Sequence, residues 1–252
     1  MTLEISPQLV AKLKTAKHVA VLTGAGISAE SGVPTFREAQ TGLWAHYDPQ
    51  ELATPQAFQR NPKLVWEWYT WRRGLVSQAA PNPGHLALVA LETILPKFTL
   101  ITQNVDGLHQ RAGSQAVIAL HGNIMETKCF AQGHPVASWP ETDDMPPYCP
   151  TCNSLLRPDV VWFGENLPAA EIQTAVQAAE SCDIFLAIGT SAIVQPAASL
   201  PLIALEHGAT AVEINPQTTP LTRWMDFVLT GAAGTVLPIL VEQMRTSQKP
   251  ES

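Results

Sequence analysis

Six residues near the N-terminus have the spacing of a dinucleotide-binding turn. The segment Gly24–Ala29 reads G-A-G-I-S-A and directly follows an apolar run. It matches the pattern G-x-G-x-x-G/A, in which small residues let the backbone approach a pyrophosphate at a helix N-terminus. The acidic residue that normally follows a second strand about 20 residues later is missing. The segment taken alone therefore leaves two readings open, a nucleotide site or a tight turn without a ligand.

Three of the four cysteines lie close together and carry donor atoms that suit zinc. Cys129 is followed by the C-x-x-C pair Cys149 and Cys152, whereas Cys182 lies in a separate apolar stretch. This distribution does not indicate a disulfide framework. Thiolates at such spacing are typical of structural zinc sites.

The fourth zinc ligand is not evident from the spacing. Gln132 occupies the position that would complete a second C-x-x-C pair, and an amide is a poor zinc ligand. His134 is the nearest substitute, and Asp143 is a further one. A zinc site of three cysteines with His134 and a ribbon that has lost its metal are both open, and the metal would be structural in either case.

A helical segment could recognise a carboxylate. Residues Trp66–Arg73 read as helix, and Tyr69 and Arg72 at i and i+3 would share one face. An arginine fork beside a phenol hydroxyl can bind a carboxylate through charge-assisted hydrogen bonds. The alternative is a solvated arginine beside a packed aromatic ring.

These residues must be positioned by a framework of short apolar runs. The runs span residues 18–24, 98–104, 183–190, 209–215 and 226–231, with helical segments at 170–180 and 197–207 between some of them. They predict strands buried on both faces of a parallel, doubly wound sheet. Ligands bind beyond the carboxyl ends of such strands. The residues expected to line this crevice are Gly24, Gln103, Asn104, Gly189, Thr190 and Asn215.

Two segments interrupt the alternation and predict a smaller lobe. We expect a single α/β domain over residues 1–252, with a Rossmann-like parallel sheet and an inserted lobe that is helical and resembles a zinc ribbon. The large lobe would comprise residues 8–37, 84–124 and 159–245. The small lobe would comprise residues 38–83 and 125–158.

Composition excludes several classes of function. Fifteen basic against 22 acidic residues give a net charge of −7, and the absence of a basic run argues against direct nucleic acid binding. No apolar stretch reaches transmembrane or signal-peptide length. The sequence therefore predicts a soluble, cytoplasmic protein without a membrane partner.

The glycine-rich segment continues as G-A-G-I-S-A-E-S-G-V-P-T-F-R up to Arg37, and in this context the sequence resembles the sirtuin family. Five further segments match the family's motifs in the family's order. They are Gln103–His109, Leu120–Asn123, Phe163–Glu165, Gly189–Ser191 and Asn215–Gln217. The resemblance extends over approximately Leu9 to Glu242.

The resemblance implies a sheet domain that binds NAD, a smaller zinc-bearing lobe and an acyl-lysine peptide in the cleft between them. The phosphates would be held by Gly24, Ala25, Gly26, Ile27 and Ala29. Phe36 and Arg37 would lie in the cofactor loop. The nicotinamide and its ribose would be surrounded by Gln103, Asn104 and Asp106. The remainder of the cofactor site would include Gly189, Thr190, Ser191, Asn215 and Gln217, with Ala233 closing over the adenine.

The resemblance also assigns the chemistry. His121 would be the general base, because a neutral imidazole can take a ribose hydroxyl proton near physiological pH; Asn104 and Asp106 would complete the catalytic set. In the family's mechanism the acyl oxygen attacks the ribose carbon as nicotinamide leaves, and the products are nicotinamide, free lysine and an acylated ADP-ribose. The segment Val161–Glu165 resembles the strand that pairs with the peptide backbone, which implicates Val161, Phe163 and Gly164 in substrate binding.

The pair Tyr69 and Arg72, with Thr35 instead of an aspartate before Phe36, is similar to the sirtuin class that removes succinyl and malonyl groups (class III). This resemblance predicts desuccinylation and demalonylation of protein lysine, with weaker deacetylation. Ala119 departs from the acidic residue that many relatives carry before the Leu-His-Gly motif. NAD-dependent ADP-ribosyl transfer and a noncatalytic NAD-binding sensor are the alternative functions.

Overall fold

The computed structural model describes residues 5–34 and 52–246 and contains one large parallel sheet. Its six strands are β1 (Val19–Thr23), β2 (Phe98–Thr102), β3 (Val117–Ala119), β6 (Ile184–Ile188), β7 (Thr210–Asn215) and β8 (Phe227–Thr230). They lie in the order β3-β2-β1-β6-β7-β8, and every pairing is parallel. The predicted fold class is confirmed.

Helices cover both faces of this sheet. The helices outside the region between residues 52 and 82 are α1 (Pro7–Thr15), α2 (Gly26–Ala29), α5 (Pro83–Ile94), α6 (Leu108–Ala112), α7 (Ala169–Ser181), α8 (Leu200–Glu206) and α9 (Ala233–Thr246). Apolar side chains of α1, α5 and α9 form one buried core with the sheet, and those of α7 and α8 form a second. Strands β1 and β6 are buried at every position, as expected for parallel strands between two helical layers.

A second, smaller structure lies beside the sheet. Strands β4 (Gly122–Cys129) and β5 (Leu156–Val160) pair antiparallel, and helices α3 (Pro55–Arg60) and α4 (Pro62–Gln78) lie in the segment between residues 52 and 82. Each of these two helices has proline in its first turn and a side-chain N-cap, Thr54 for α3 and Asn61 for α4. Such caps satisfy amide groups that the first turn leaves unpaired. The local sequence thereby fixes where α4, the helix that carries Tyr69 and Arg72, begins.

Two local expectations need correction or addition. Residues 161–165 do not form a strand, since β5 ends at Val160 and the chain then turns, with Gly164 at φ +86°. Edge strand β3 was not predicted because its three residues are too few to show a period. The boundaries of the two lobes remain a prediction. Among the described residues, no helix has the length and apolarity needed to cross a bilayer.

Candidate active site

The glycines at the ends of β1 and β6 pack directly against each other. Gly26 N donates a hydrogen bond to Gly189 O over 2.8 Å. A Cβ atom added at Gly24 or Gly26 would lie 2.8 or 2.7 Å from Gly189 O. One added at Gly189, where φ is +58°, would lie 2.6 Å from Ile27 N. Side chains are therefore excluded from this contact, and a backbone-lined cradle forms at the N-terminus of α2, which suits a pyrophosphate.

A network of polar side chains continues from the cradle. Asn104 Nδ2 donates to Gly24 O and to Ser28 Oγ, both over 3.1 Å. Ser28 Oγ donates to Asp106 Oδ2 over 2.7 Å, and Asp106 Oδ1 accepts from Leu108 N over 2.9 Å. Asp106 is 5% exposed, so its carboxylate needs these donors. The structure thus brings together the two predicted nicotinamide-side residues Asn104 and Asp106.

The end of β6 connects this network to β7. Gln103 Nε2 donates to Thr190 Oγ1 over 3.0 Å, and Asn215 Nδ2 donates to Thr190 O over 2.8 Å. Thr190 is buried, whereas Ser191 and Gln217 are exposed at the same end of the sheet. The predicted residues from three separate segments therefore lie along one crevice.

The N-terminus of α9 packs against the C-terminal end of α2 and against Gly84. Gly234 N donates to Glu30 Oε2 over 2.7 Å, and a Cβ added at Gly84 would lie 3.1 Å from the backbone of Ala233. Ala233 is 3% exposed. The segment predicted to close over the adenine therefore contacts α2, the helix that begins at the cradle.

His121 has the tautomer that a base requires. Its Nδ1 lies 2.8 Å from Gln103 O, and a carbonyl can only accept, so Nδ1 carries the proton and Nε2 the lone pair. Burial lowers the pKa of His121, and the hydrogen bond to Gln103 partly opposes this. The imidazole is therefore neutral at neutral pH and can accept a proton at Nε2.

Two histidines that sequence reasoning did not assign lie beneath the site. The rings of His85 and His109 have centroids 4.9 Å apart, and both residues are fully buried. His109 Nε2 lies 2.9 Å from Thr23 Oγ1, and Thr23 Oγ1 donates to Thr102 Oγ1. Burial, followed by the neighbouring His85, lowers the pKa of His109 to about 3. They lie in successive helices, α5 and α6, with β2 between them, and no local pattern in the sequence signals that the two side chains meet, although His109 belongs to a segment singled out above.

Tyr69 and Arg72 lie on one face of α4, as predicted. Burial raises the pKa of Tyr69 to about 12, while the Arg72 charge opposes the rise. Burial lowers the pKa of Arg72, while Tyr69 and then Asp106 oppose this change. Arg72 Cζ lies 5.1 Å from the centroid of the Trp68 ring. The guanidinium is therefore within electrostatic range of both the Tyr69 hydroxyl and the Asp106 carboxylate.

In the segment predicted to bind peptide, two backbone N–H groups already donate hydrogen bonds within the protein. Val161 N donates to His121 O, and Phe163 N donates to Ala53 O, each over 2.9 Å. Gly164 and Phe163 are exposed, Phe163 to 41%. The segment thus lies directly beside His121, but as a turn and not as a strand. Phe36 and Arg37 lie outside the described residues.

The sulfur atoms and His134 form a compact cluster. Cys129 Sγ lies 3.4 Å from Cys152 Sγ, Cys149 Sγ lies 3.4 Å from His134 Nε2, and the ligand atoms of Cys129, His134 and Cys149 are within 4.8 Å of one another. Burial raises the pKa of Cys149, but hydrogen bonds from the backbone of Thr151 and Cys152 and from His134 outweigh it and lower the pKa to about 6. The ligand atoms of Cys129, His134 and Cys149 fit three positions around a tetrahedral zinc ion, and Cys152, whose sulfur lies beside that of Cys129, is the candidate for the fourth. Asp143 is not part of this cluster in the part of the chain that the structure describes.

A parallel sheet with a glycine-lined cradle at the crossover between β1 and β6 defines a dinucleotide-binding α/β protein. Residues 24–196 of this chain match the protein-family model described as "Sir2 family". A protein of Methylococcus capsulatus named NAD-dependent protein deacylase is 49% identical over 98% of this chain and 100% of its own length. The chain belongs to the Sir2 family, the sirtuins, as the sequence motifs predicted.

Solved structures agree with this assignment. The crystal structure of a Sir2 homolog–NAD complex has a TM-score of 0.91 and 47% identity, covering 98% of this chain and 96% of that one. A structure described as Sir2–p53 peptide–NAD+ has a TM-score of 0.84 and 30% identity, covering 95% of this chain and 98% of that one. The fold and the family are therefore supported by sequence and by structure.

Proposed function

We propose that this Sir2-family enzyme is an NAD-dependent protein deacylase that removes succinyl and malonyl groups from lysine and acetyl groups more weakly. The observation that carries the acyl preference is the placement of Tyr69 and Arg72 on one face of α4, with Tyr69 buried and Arg72 half-buried. A guanidinium and a phenol hydroxyl at the edge of a nucleotide site suit a carboxylate at the end of an acyl chain.

The residues of the cradle fit NAD. Because they lack a Cβ atom, Gly24, Gly26 and Gly189 let the backbone at the end of β1 pack against the backbone at the end of β6, and the N-terminus of α2 favours negative charge. When bound, NAD supplies a ribose carbon from which nicotinamide can depart. Asn104 and Asp106 would hold the nicotinamide half. Gly189, Thr190 and Asn215, with Ser191, Gln217 and Ala233, would hold the adenosine half.

His121 would act on a hydroxyl proton. Its Nε2 carries a lone pair because Nδ1 donates to Gln103 O, and burial keeps the ring neutral. A base in this state can accept a proton without first losing one. Neighbouring Val161, Phe163 and Gly164 would position the acyl-lysine peptide. The expected products are nicotinamide, free lysine and O-acyl-ADP-ribose.

We also propose that zinc occupies the cluster of Cys129, His134, Cys149 and Cys152. His134 would replace the cysteine whose place Gln132 takes, which gives one imidazole and three thiolates. The cluster joins the start and end of residues 129–152, so zinc would stabilise the small lobe and take no part in the reaction.

An acyl panel on one peptide sequence tests the acyl preference. Purified protein with NAD is expected to remove succinyl and malonyl groups faster than acetyl, without transferring ADP-ribose to protein. Arg72→Met removes the guanidinium and keeps an unbranched stem; losing a charge-assisted contact to a buried carboxylate costs about 2–5 kcal/mol, or roughly tens to thousands of fold in kcat/KM for the succinyl peptide. Equal losses for succinyl and acetyl peptides would refute the role of Arg72.

Lys63→Met is the matched control for this variant. Lys63 lies on the same helix with its side chain 68% exposed, so the substitution removes one positive charge without entering the cleft. The succinyl-to-acetyl ratio of this control is expected to equal that of the wild type. A change as large as in Arg72→Met would mean that the net charge of α4, and not a local contact, sets the preference.

A further inference from the structure

The hydroxyl of Tyr69 is held by a residue outside the groups assigned above. Trp162 Nε1 donates a hydrogen bond to Tyr69 Oη over 2.9 Å. Trp162 is 1% and Tyr69 4% exposed, so the bond is shielded from solvent and its geometry is fixed by packing. Among the described residues, the Tyr69 hydroxyl has no other hydrogen-bond partner.

The direction of this bond decides what the phenol can do. An indole N–H can only donate, so the Tyr69 oxygen is the acceptor and its single proton is left for another acceptor. Because burial raises the pKa of Tyr69 to about 12, the hydroxyl keeps that proton at neutral pH. A phenol that already accepts one hydrogen bond is also a better donor, since linked hydrogen bonds polarise one another.

We propose that Trp162 is a positioning residue for acyl selectivity, which orients the Tyr69 hydroxyl so that its proton is donated to the carboxylate of a succinyl or malonyl group. This inference rests on the proposed function. It adds a residue that lies in the turn after β5 and reaches across to α4, so that one hydrogen bond links the peptide-side segment to the acyl-recognising helix.

Trp162 is itself fixed by an ion pair. Arg157 Cζ lies 3.3 Å from the centroid of the Trp162 ring, and the Glu165 carboxylate accepts from both Arg157 Nη1, over 2.5 Å, and Trp162 N, over 2.8 Å. The Arg157 side chain is only 4% exposed. A buried guanidinium that stacks on an indole while paired with a carboxylate resists rotation of that indole. The orientation of the Tyr69 hydroxyl is therefore set through three packed side chains.

A tryptophan that only fills space would behave differently. Trp162 also contacts the ring of Phe58, with centroids 5.3 Å apart, so its removal disturbs the core whichever role it has. A packing defect lowers turnover of every acyl substrate together. Loss of the oriented hydroxyl lowers turnover of acidic acyl groups selectively, because an acetyl group has no carboxylate to accept the proton.

The test is the ratio of kcat/KM for succinyl and acetyl peptides in Tyr69→Phe, Trp162→Phe and the double variant. We expect Tyr69→Phe to lower the ratio roughly tenfold or more, as for loss of a hydrogen bond to a charged group. Trp162→Phe is expected to lower it about three- to tenfold, mainly through KM of the succinyl peptide. The double variant should have the ratio of Tyr69→Phe alone, because Trp162 acts through a hydroxyl that is then absent.

Independent effects would overturn the inference. If the two losses multiply in the double variant, or if Trp162→Phe leaves the ratio at its wild-type value, Trp162 does not act through Tyr69, while the proposed function stands. If Tyr69→Phe itself leaves the ratio unchanged, both the inference and the Tyr69 part of the proposed function fail.

A second measurement needs no change at Trp162 and so applies even if that variant does not fold. In ¹⁵N-labelled protein, the indole N–H resonance of Trp162 is expected to move upfield and to exchange faster with solvent in Tyr69→Phe, since its acceptor is gone. Tyr148→Phe is the control, because Tyr148 is an exposed tyrosine. An indole resonance that is the same in Tyr69→Phe and wild type would overturn the inference.

Discussion

The buried histidine pair makes the stability of this protein depend on pH in a calculable way. His109 has a pKa of about 3 in the folded state because burial and His85 disfavour its charged form, whereas an unfolded histidine titrates near pH 6.5. Between these two values the unfolded state binds a proton that the folded state does not. The free energy of unfolding therefore falls as pH decreases below about 6.5, by roughly 1.4 kcal/mol per pH unit for this group.

Summed from pH 7.5 to pH 4.5, the contribution of His109 is about 2.5 kcal/mol. Urea unfolding measured at several pH values in this window, for wild type and His109→Gln, isolates it, because glutamine retains an amide that can donate to Thr23 but does not titrate. We expect the wild type to lose about 2.5 kcal/mol more than the variant. His207→Gln, at an exposed histidine, should follow the wild type. Parallel pH profiles for wild type and His109→Gln would refute this explanation.

Three further outcomes are expected. His121→Ala should nearly abolish deacylation in a mass-spectrometric assay while calorimetry still detects NAD binding, since the base is needed after NAD docks; turnover near that of the wild type would exclude this role. Gly189→Ala should weaken NAD binding about tenfold or more relative to Gly208→Ala, because both positions have positive φ but only at Gly189 would the Cβ meet backbone within 3 Å; equal affinities would contradict the close-contact reasoning. His134→Ala should lower the zinc content found by elemental analysis, and full occupancy would exclude His134 as a ligand.

The main sheet could be predicted because its strands are buried on both faces. Five of its strands are short apolar runs ending in glycine or a polar residue, such as the run that leads from Val19 to Gly24. A parallel strand between two helical layers needs no alternation, so the run itself is the signal. Strand β3 lies at the edge of the sheet and is only partly buried. Its sequence therefore lacks the long apolar run by which the other strands were predicted.

The site was predicted less evenly. Local motifs singled out Gly24, Asn104 and His121 as candidates because each lies in a contiguous segment at a strand end. The contact of His85 with His109, and that of Trp162 with Tyr69, join residues 24 and 93 positions apart in the chain. The hydrophobic periodicity of a single sequence does not predict contacts between residues so far apart in the chain. The turn at residues 161–165 was missed for a similar reason, since it is fixed by the Glu165 carboxylate accepting from Trp162 N.

The order of strands in the sheet has a consequence for the synthesis of the protein. Gly26 N donates to Gly189 O, so the two walls of the cradle are separated by about 160 residues of chain, and contacts of such high sequence separation form late. A ribosome that has released β1, β2 and the whole small lobe has still not supplied the second wall. Nucleotide binding is therefore expected only once β6 has emerged and inserted beside β1. In a growing or truncated chain, NAD affinity would report that β6 has paired with β1.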